Sequence, residues 1–189
     1  LSKDHINAVN NGREIMIINP SRMNPIVNKF INENSLFNTL KTNDDMGRIN
    51  LVADFVYYNM NKHNYTTHNQ AIDTHDQVIA NLINTEKINR QNPSYVPKTT
   101  INGTMVDLTE IINSANGVCR HRSLFFKYMC DKLNIKCKVI RGYYSRDTDI
   151  ESKDGGHAWN VVEVQGKLIN IDIMNPSGVE RRNGEQKPV

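Results

Sequence analysis

Residues 114–134 read SANGVCRHRSLFFKYMCDKLN, and this stretch decides how the second half of the chain folds. A small, flexible lead-in precedes Cys119, and apolar side chains then recur at helical spacing, which predicts a helix that begins at the thiol. Arg120, His121 and Arg122 crowd its first turn. Positive charges there oppose the helix macrodipole, at about 0.3–1 kcal/mol each where exposed. The grouping therefore indicates a chemical task at the start of this helix.

The segments that follow the helix predict a small antiparallel sheet. Residues 136–144 alternate as a strand, and residues 157–176 predict two strands joined by a two-residue turn at 165–166. That turn sets a register in which His157 and Asp172 share one face of the sheet as diagonal neighbours. Such neighbours lie about 7–8 Å apart at the backbone, within reach of longer side chains. An imidazole and a carboxylate are thus expected to meet there.

These predicted positions suit nucleophilic catalysis by a thiol. A helix N-terminus and a nearby imidazolium lower the pKa of a thiol such as Cys119. His157 would take its proton, Asp172 would orient the ring, and backbone N–H groups at the helix start would hold an oxyanion. The three basic residues of the first turn would strengthen the thiolate or hold an acidic group of the substrate. The alternative is that the arginines point into solvent or brace a loop carboxylate.

The first hundred residues are predicted to be mainly helical. Apolar residues recur at helical spacing in three segments, at 24–40, 48–62 and 71–89. Pro93 and Pro97 then break the chain, and residues 99–106 predict a short hairpin or turn through Asn102 and Gly103. Asp107 is expected to cap a short helix.

Composition narrows the classes of function. The 189 residues carry a formal charge of only +3 and contain no block of lysine and arginine, so we expect no nucleic-acid partner. No apolar run approaches the roughly 20 residues that span a bilayer. The chain begins at Leu1 without a signal-peptide pattern, and we expect it to be a piece of a longer protein.

The cysteine count predicts a reducing compartment. Three cysteines without Cys-x-x-Cys spacing argue against a disulfide framework and a zinc ribbon. The positions of Cys130 and Cys137 are typical of small buried hydrophobic residues, so Cys119 is the cysteine that we expect to be reactive. The compartment would be the cytoplasm or, because the richness in asparagine suggests an AT-rich bacterial genome, a host cytosol reached by a bacterial effector. We expect no cofactor and no metal, although Cys119, His121, His157 and Asp172 make up a metal-site alternative.

The motifs GVCRHRS, VIRG, HAWNVV and IDIM, in this order between residues 116 and 176, resemble a known family. They are similar to the transglutaminase-like branch of the papain-like cysteine enzymes. Within it they look most like the N-terminal domain of plant Raf-like kinases of ethylene and disease-resistance signalling. The resemblance implies that Cys119, His157 and Asp172 are nucleophile, base and orienting carboxylate, and that a protein or peptide is the substrate.

Departures from the family pattern keep alternatives open. Transglutaminases carry a Trp beside the nucleophile, where this chain has Arg120, and Asn113 stands at the offset of the papain-type oxyanion Gln. The first hypothesis is an acyl-transfer enzyme of transglutaminase, deamidase or peptidase type. The second is a non-catalytic protein-interaction module on the same fold. A coenzyme-A-dependent N-acetyltransferase is a minor third, because its Arg-Gly-Gly lead-in is absent.

The predicted fold class is α+β, with a Cys-bearing central helix on a small antiparallel sheet and a helical N-terminal half. The predicted organisation is a helical region at 1–100, packed on a transglutaminase-like catalytic core at 101–176, and a tail at 177–189.

Overall fold

The computed structural model describes residues 15–40, 45–61, 105–115, 117–143 and 156–174, two short strands near the C-terminus and scattered positions between 77 and 94. Its helices are α1 (Pro20–Glu33), α2 (Ser35–Thr39), α3 (Asp45–Asn59), α4 (Leu108–Ser114) and α5 (Cys119–Lys132). Its strands are β1 (Ile15–Ile17), β2 (Met105–Asp107), β3 (Cys137–Tyr143), β4 (Gly156–Val164), β5 (Lys167–Ile171), β6 (Arg181–Arg182) and β7 (Glu185–Gln186). The mixture of helix and strand confirms the predicted α+β class.

Two of the three predicted helical segments fall on described helices. The segment at 24–40 is not one helix, because α1 ends before Asn34 and α2 begins after it. The Asn34 side-chain amide donates to the Phe30 carbonyl at 2.9 Å, and an asparagine that bonds the backbone in this way competes with helix continuation. In the third segment the described positions between 77 and 89 are helical, whereas five of its apolar residues lie outside the described residues: Ile72, Val78, Ile79, Leu82 and Ile83.

The chain divides into two compact units. The first unit contains Leu1–Ile26 and Met60–Gly117, and the second unit contains Val27–Asn59 and Val118–Val189. The predicted boundaries at residues 100 and 176 stay a prediction.

In the first unit, β1 and β2 form a two-stranded parallel sheet that pairs Ile15 with Met105 and Ile17 with Asp107. The predicted turn through Asn102 and Gly103 lies outside the described residues. The partner found for β2 is a distant strand near the N-terminus.

Asp107 caps α4, as predicted. Its Oδ1 accepts a hydrogen bond from the Thr109 backbone amide at 2.9 Å, and its Oδ2 lies 3.0 Å from a guanidinium nitrogen of Arg22. The carboxylate is 1% exposed, so this pairing compensates the cost of burying its charge. Arg22 also pairs with Glu110 in the first turn of α4.

In the second unit, a chain of aromatic rings joins the helices of the 27–59 segment to α5. Phe30 makes edge-to-face contacts with Phe37 and Phe55, each with ring centroids 5.1 Å apart. Phe55 continues the chain to Phe125 of α5 at 6.2 Å. Such pairs contribute about 0.5–1.5 kcal/mol each beyond their buried area. The helix that carries Cys119 is thus packed into a core that the earlier helices help to form.

The sheet of the second unit has the strand order β3-β4-β5, with both pairs antiparallel. Val164 pairs with Lys167, which confirms the register predicted from a two-residue turn. Gln165 and Gly166 have φ values of 50° and 77°, so both turn residues are left-handed, as in a type I′ hairpin. Helix α5 packs on β4 and β3.

Outside this sheet, β6 and β7 form a short antiparallel pair within the predicted tail. Across the described part of the chain, no helix combines the length and apolar character that crossing a membrane requires.

Candidate functional site

Cys119 is the first residue of α5, as the sequence predicts, and it follows Val118, whose extended backbone forms the N-cap. The backbone amides of His121 and Arg122 both donate to the Val118 carbonyl, at 3.0 and 3.1 Å. His121, two residues after Cys119, is therefore the first residue whose amide donates to the carbonyl at the start of the helix. The amide of Cys119 has no acceptor within the helix, as is general for a first turn.

His121 caps the helix and is not one of the charges that the sequence indicates there. Its Nδ1 accepts the Val118 backbone N–H at 3.2 Å, and the residue is fully buried. A ring nitrogen that accepts from an amide carries no proton, so the imidazole is neutral with its proton on Nε2. His121 occupies the N3 position, where a capping box usually places Glu or Gln. Two of the three expected positive charges remain.

The surroundings of Cys119 stabilise a thiolate. Burial alone raises the pKa of this thiol, but hydrogen bonds from His157 and from the Ala158 backbone amide lower it, as do the positive charges of His157 and Arg120. The net pKa lies below the usual value for a thiol. Because the residue is only half-buried, a reagent can reach it. Lowered pKa together with access is the setting of a reactive cysteine.

His157 and Asp172 meet as the hairpin register predicts. The ladder between β4 and β5 ends at the pair Asn160 and Ile171, and Asp172 follows directly. Asp172 Oδ2 lies 2.7 Å from His157 Nε2. This bond and the one to Cys119 raise the pKa of His157 to about 10, because both partners favour the imidazolium more than burial opposes it. With Nε2 taken by the carboxylate, Nδ1 is the ring nitrogen left for the thiol.

Trp159 forms a wall beside the imidazole. Its indole stacks on the His157 ring with centroids 5.9 Å apart and planes inclined by 21°. The indole also lies against Gly142 of β3, where an added Cβ would come within 2.7 Å of Trp159 Cη2. Glycine at this position is therefore what allows the ring to lie so close to the strand. No role was predicted from the sequence for Gly142.

The two arginines of the first turn have different surroundings. Arg120 is half-buried and is the arginine whose charge lowers the pKa of Cys119. Arg122 is 2% exposed, and its guanidinium donates to the Ile173 carbonyl at 3.3 Å. The same guanidinium lies 5.6 Å from the Tyr57 ring centroid. The side chain extends into the interior, so the alternative that Arg122 points into solvent is wrong, whereas its support of the thiolate stays a prediction.

Asn160 was not singled out in the sequence, yet it links the helix to the sheet. It is fully buried, and its side-chain amide donates to the Ser123 carbonyl of α5 at 3.0 Å and to the Lys138 carbonyl of β3 at 3.4 Å. Its Oδ1 has no hydrogen-bond partner among the described residues. The signal was available, because strand alternation places this asparagine with Ala158 and Val162, on the buried side of β4.

The other two cysteines are buried, as predicted. A hydrogen bond to Cys137 and burial raise the pKa of Cys130. Hydrogen bonds from Cys130 and Asn160 lower the pKa of Cys137 more than burial raises it. Lack of access, and not a high pKa, distinguishes Cys137 from Cys119.

Two further predictions concern Asn113 and a metal site. Asn113, the position that matches the papain-type Gln, is an exposed residue of α4. The metal-site alternative requires converging His, Cys, Asp or Glu side chains. Within the residues that the structure covers, no group of three or more such side chains is placed to hold an ion.

The comparison with protein families gives a match over most of the chain. A family described as EDR1/CTR1/ARMC3, peptidase-like, matches residues 34–179. This confirms the predicted relation to the N-terminal domain of the plant kinases at the level of the family, and it extends the related region from residue 116 back to residue 34. No curated protein and no solved structure matches the sequence.

Proposed function

Because the chain belongs to the EDR1/CTR1/ARMC3 peptidase-like family, we propose that it is a cysteine-dependent acyl-transfer enzyme that acts on amide bonds of a protein or peptide. Its core would be papain-like, of the transglutaminase-like branch, with Cys119, His157 and Asp172 as the triad. The observation that carries the proposal is the 2.7 Å bond between His157 and Asp172, made by a histidine that also bonds the thiol.

The reaction begins with an ion pair. The pKa of Cys119 is lowered and that of His157 is raised to about 10, and both shifts favour a thiolate that faces an imidazolium. The thiolate attacks the amide carbonyl carbon, a C–S bond forms, and the carbonyl electrons move to oxygen. Backbone amides at the start of α5 support this oxyanion, aided by the helix dipole.

Collapse of the oxyanion breaks the C–N bond, and the His157 imidazolium gives its proton to the departing amine. A thioester on Cys119 remains. Water or a second amine then attacks the thioester while neutral His157 takes the proton of the attacking group. The products are a carboxylic acid or a new amide, and the thiolate is restored. Asp172 holds the ring through Nε2 in both halves of the reaction.

A binding module on the same fold is the second candidate. The observation that favours it is Arg120, a half-buried cation at the position where transglutaminases have the Trp that follows the nucleophile. A binding module does not require a thiolate, whereas the electrostatic setting of Cys119 favours one. We therefore place the enzyme first.

Product analysis tests the proposal. The purified protein, incubated with a lysate, is expected to produce deamidated glutamines, new isopeptide links or new peptide termini that mass spectrometry detects. The matched controls are Cys119→Ala, which removes the nucleophile, and Cys137→Ala, which removes a buried thiol from the same unit. Products from the Cys137→Ala variant and none from Cys119→Ala support the enzyme. Identical spectra for the wild type and Cys119→Ala contradict it, and the binding module becomes the function.

A further inference from the structure

We propose that Arg122 is a positioning residue that fixes the Asp172 carboxylate against His157 by holding the peptide group between residues 173 and 174. This inference rests on the proposed function, since it concerns the same three catalytic side chains. In this scheme the effect of Arg122 on the reaction passes through Asp172.

The first step of the argument is the location of Asp172. The β4–β5 ladder ends at Ile171, so Asp172 lies just beyond the strand pairing that positions His157. Hydrogen bonds of the sheet therefore do not set the direction of its carboxylate. Other contacts must do so if the 2.7 Å bond to His157 is to persist.

The second step is a series of hydrogen bonds through one peptide group. Asp172 Oδ1 accepts the Met174 backbone N–H at 3.1 Å, which closes an Asx turn. The carbonyl of that same peptide group belongs to Ile173, and it accepts the Arg122 guanidinium at 3.3 Å. A peptide group is planar and rigid. Holding its oxygen therefore also directs its N–H, and the N–H holds Asp172.

The third step is the cost of the arrangement. A guanidinium that is 2% exposed has lost most of its hydration, and a cation in the first turn of a helix also opposes the helix dipole. A residue whose task was to fill space would avoid both costs. The guanidinium is instead aimed at a carbonyl one residue from the triad carboxylate, with the Tyr57 ring beside it.

Arg48 provides a matched control in the same unit. Its guanidinium donates to the Leu133 carbonyl at 3.1 Å and lies 4.4 Å from the Phe37 ring centroid. It thus makes the same two kinds of contact at the opposite end of α5 from the thiol. A purely structural role predicts similar effects for both arginines, whereas positioning predicts an effect on the site for Arg122 alone.

The experiment measures the pH dependence of Cys119 alkylation by iodoacetamide, by peptide mass spectrometry, with thermal unfolding in parallel. For Arg122→Met we expect the pH midpoint of Cys119 alkylation to rise by about one unit. Alkylation near pH 6 should then be about tenfold slower. Arg122→Lys keeps a donor and should give a smaller rise. It also serves if Arg122→Met does not fold. Arg48→Met should lower the unfolding temperature and leave the midpoint unchanged.

A double-mutant cycle identifies the route of the effect. If Arg122 acts through Asp172, its effect should be small once Asp172→Asn is present. In that background Arg122→Met should change the rate of Cys119 alkylation by less than about twofold. An equal shift in both backgrounds overturns the proposal, because the arginine would then act on the thiol by charge alone. No shift for Arg122→Met or Arg122→Lys also overturns it. An ordinary midpoint in the wild type instead contradicts the proposed function itself.

Discussion

Replacing Gly142 by alanine tests the contact that places Trp159 beside the imidazole. The new Cβ would lie 2.7 Å from Trp159 Cη2 and 3.1 Å from Cζ3, whereas carbon atoms pack at about 3.5–4.0 Å. The indole must therefore retreat by roughly 1 Å or the strand must shift. Because the indole stacks on His157, its retreat disturbs the imidazole.

The magnitude follows from two opposing effects. Overpacking of this kind costs about 1–3 kcal/mol. Gly→Ala also restricts the unfolded chain, which returns about 0.4–1 kcal/mol, since Gly142 does not have a positive φ. We expect a net loss of about 1–2 kcal/mol in the free energy of unfolding. Trp159 is the single tryptophan, so its fluorescence reports both unfolding and the local change.

Gly156 supplies the control for this measurement. It lies in the neighbouring strand, and an added Cβ there would meet its nearest atom at 3.9 Å, an ordinary contact. The free energy of unfolding of Gly156→Ala should therefore lie within about 0.5 kcal/mol of the wild-type value, and its tryptophan fluorescence should be native. If Gly142→Ala behaves in the same way as Gly156→Ala, the indole does not rest on Gly142 and the reasoning is refuted.

Three further predictions concern the turn, the helix cap and the imidazole. Gln165 has a left-handed φ of 50°, so Gln165→Asn should stabilise the hairpin by up to about 1 kcal/mol in denaturant unfolding, and an unchanged midpoint would contradict the assigned turn. His121→Leu should lower the free energy of unfolding by about 1–3 kcal/mol, because it leaves the buried Val118 amide unpaired. His121→Gln keeps an acceptor and should lower it less, so equal losses for the two variants would contradict the cap. By NMR, the pKa of the His157 ring should be near 10 in the wild type. In Cys119→Ala the pKa should be lower than in the wild type, but it should stay above 6.5 because Asp172 still stabilises the imidazolium. In that variant the stability from the imidazolium should be complete below about pH 6.5 and lost as the pH rises through the raised pKa, and a His157 that titrates near 6.5 would contradict the pairing.

The sequence was sufficient where local chemistry determines geometry. The turn at Gln165 and Gly166 and the period-2 alternation around it specify a register, and that register brings His157 to Asp172. Asp107 was likewise readable as a cap, because an N-cap depends on residues only two or three positions away.

Long-range contacts account for what the sequence did not predict. The pairing of β1 with β2 joins three-residue strands from distant parts of the chain, and such short strands carry little periodic signal. The direction of Arg122 depends on the Ile173 carbonyl, which only the folded chain brings near α5. His121 was misread as a cation although its N3 position is the one that a capping partner occupies.

The most direct test of the triad is the pH–alkylation profile of the wild type and of His157→Ala, read separately for each cysteine by peptide mass spectrometry. Cys130 and Cys137 are buried internal references within the same sample. We predict that Cys119 reacts fastest, with a midpoint below the value of about 8.5 for a free thiol, and that His157→Ala removes most of its reactivity near pH 6. Labelling of Cys119 no faster than a free thiol, with no change in His157→Ala, would contradict the assembled triad.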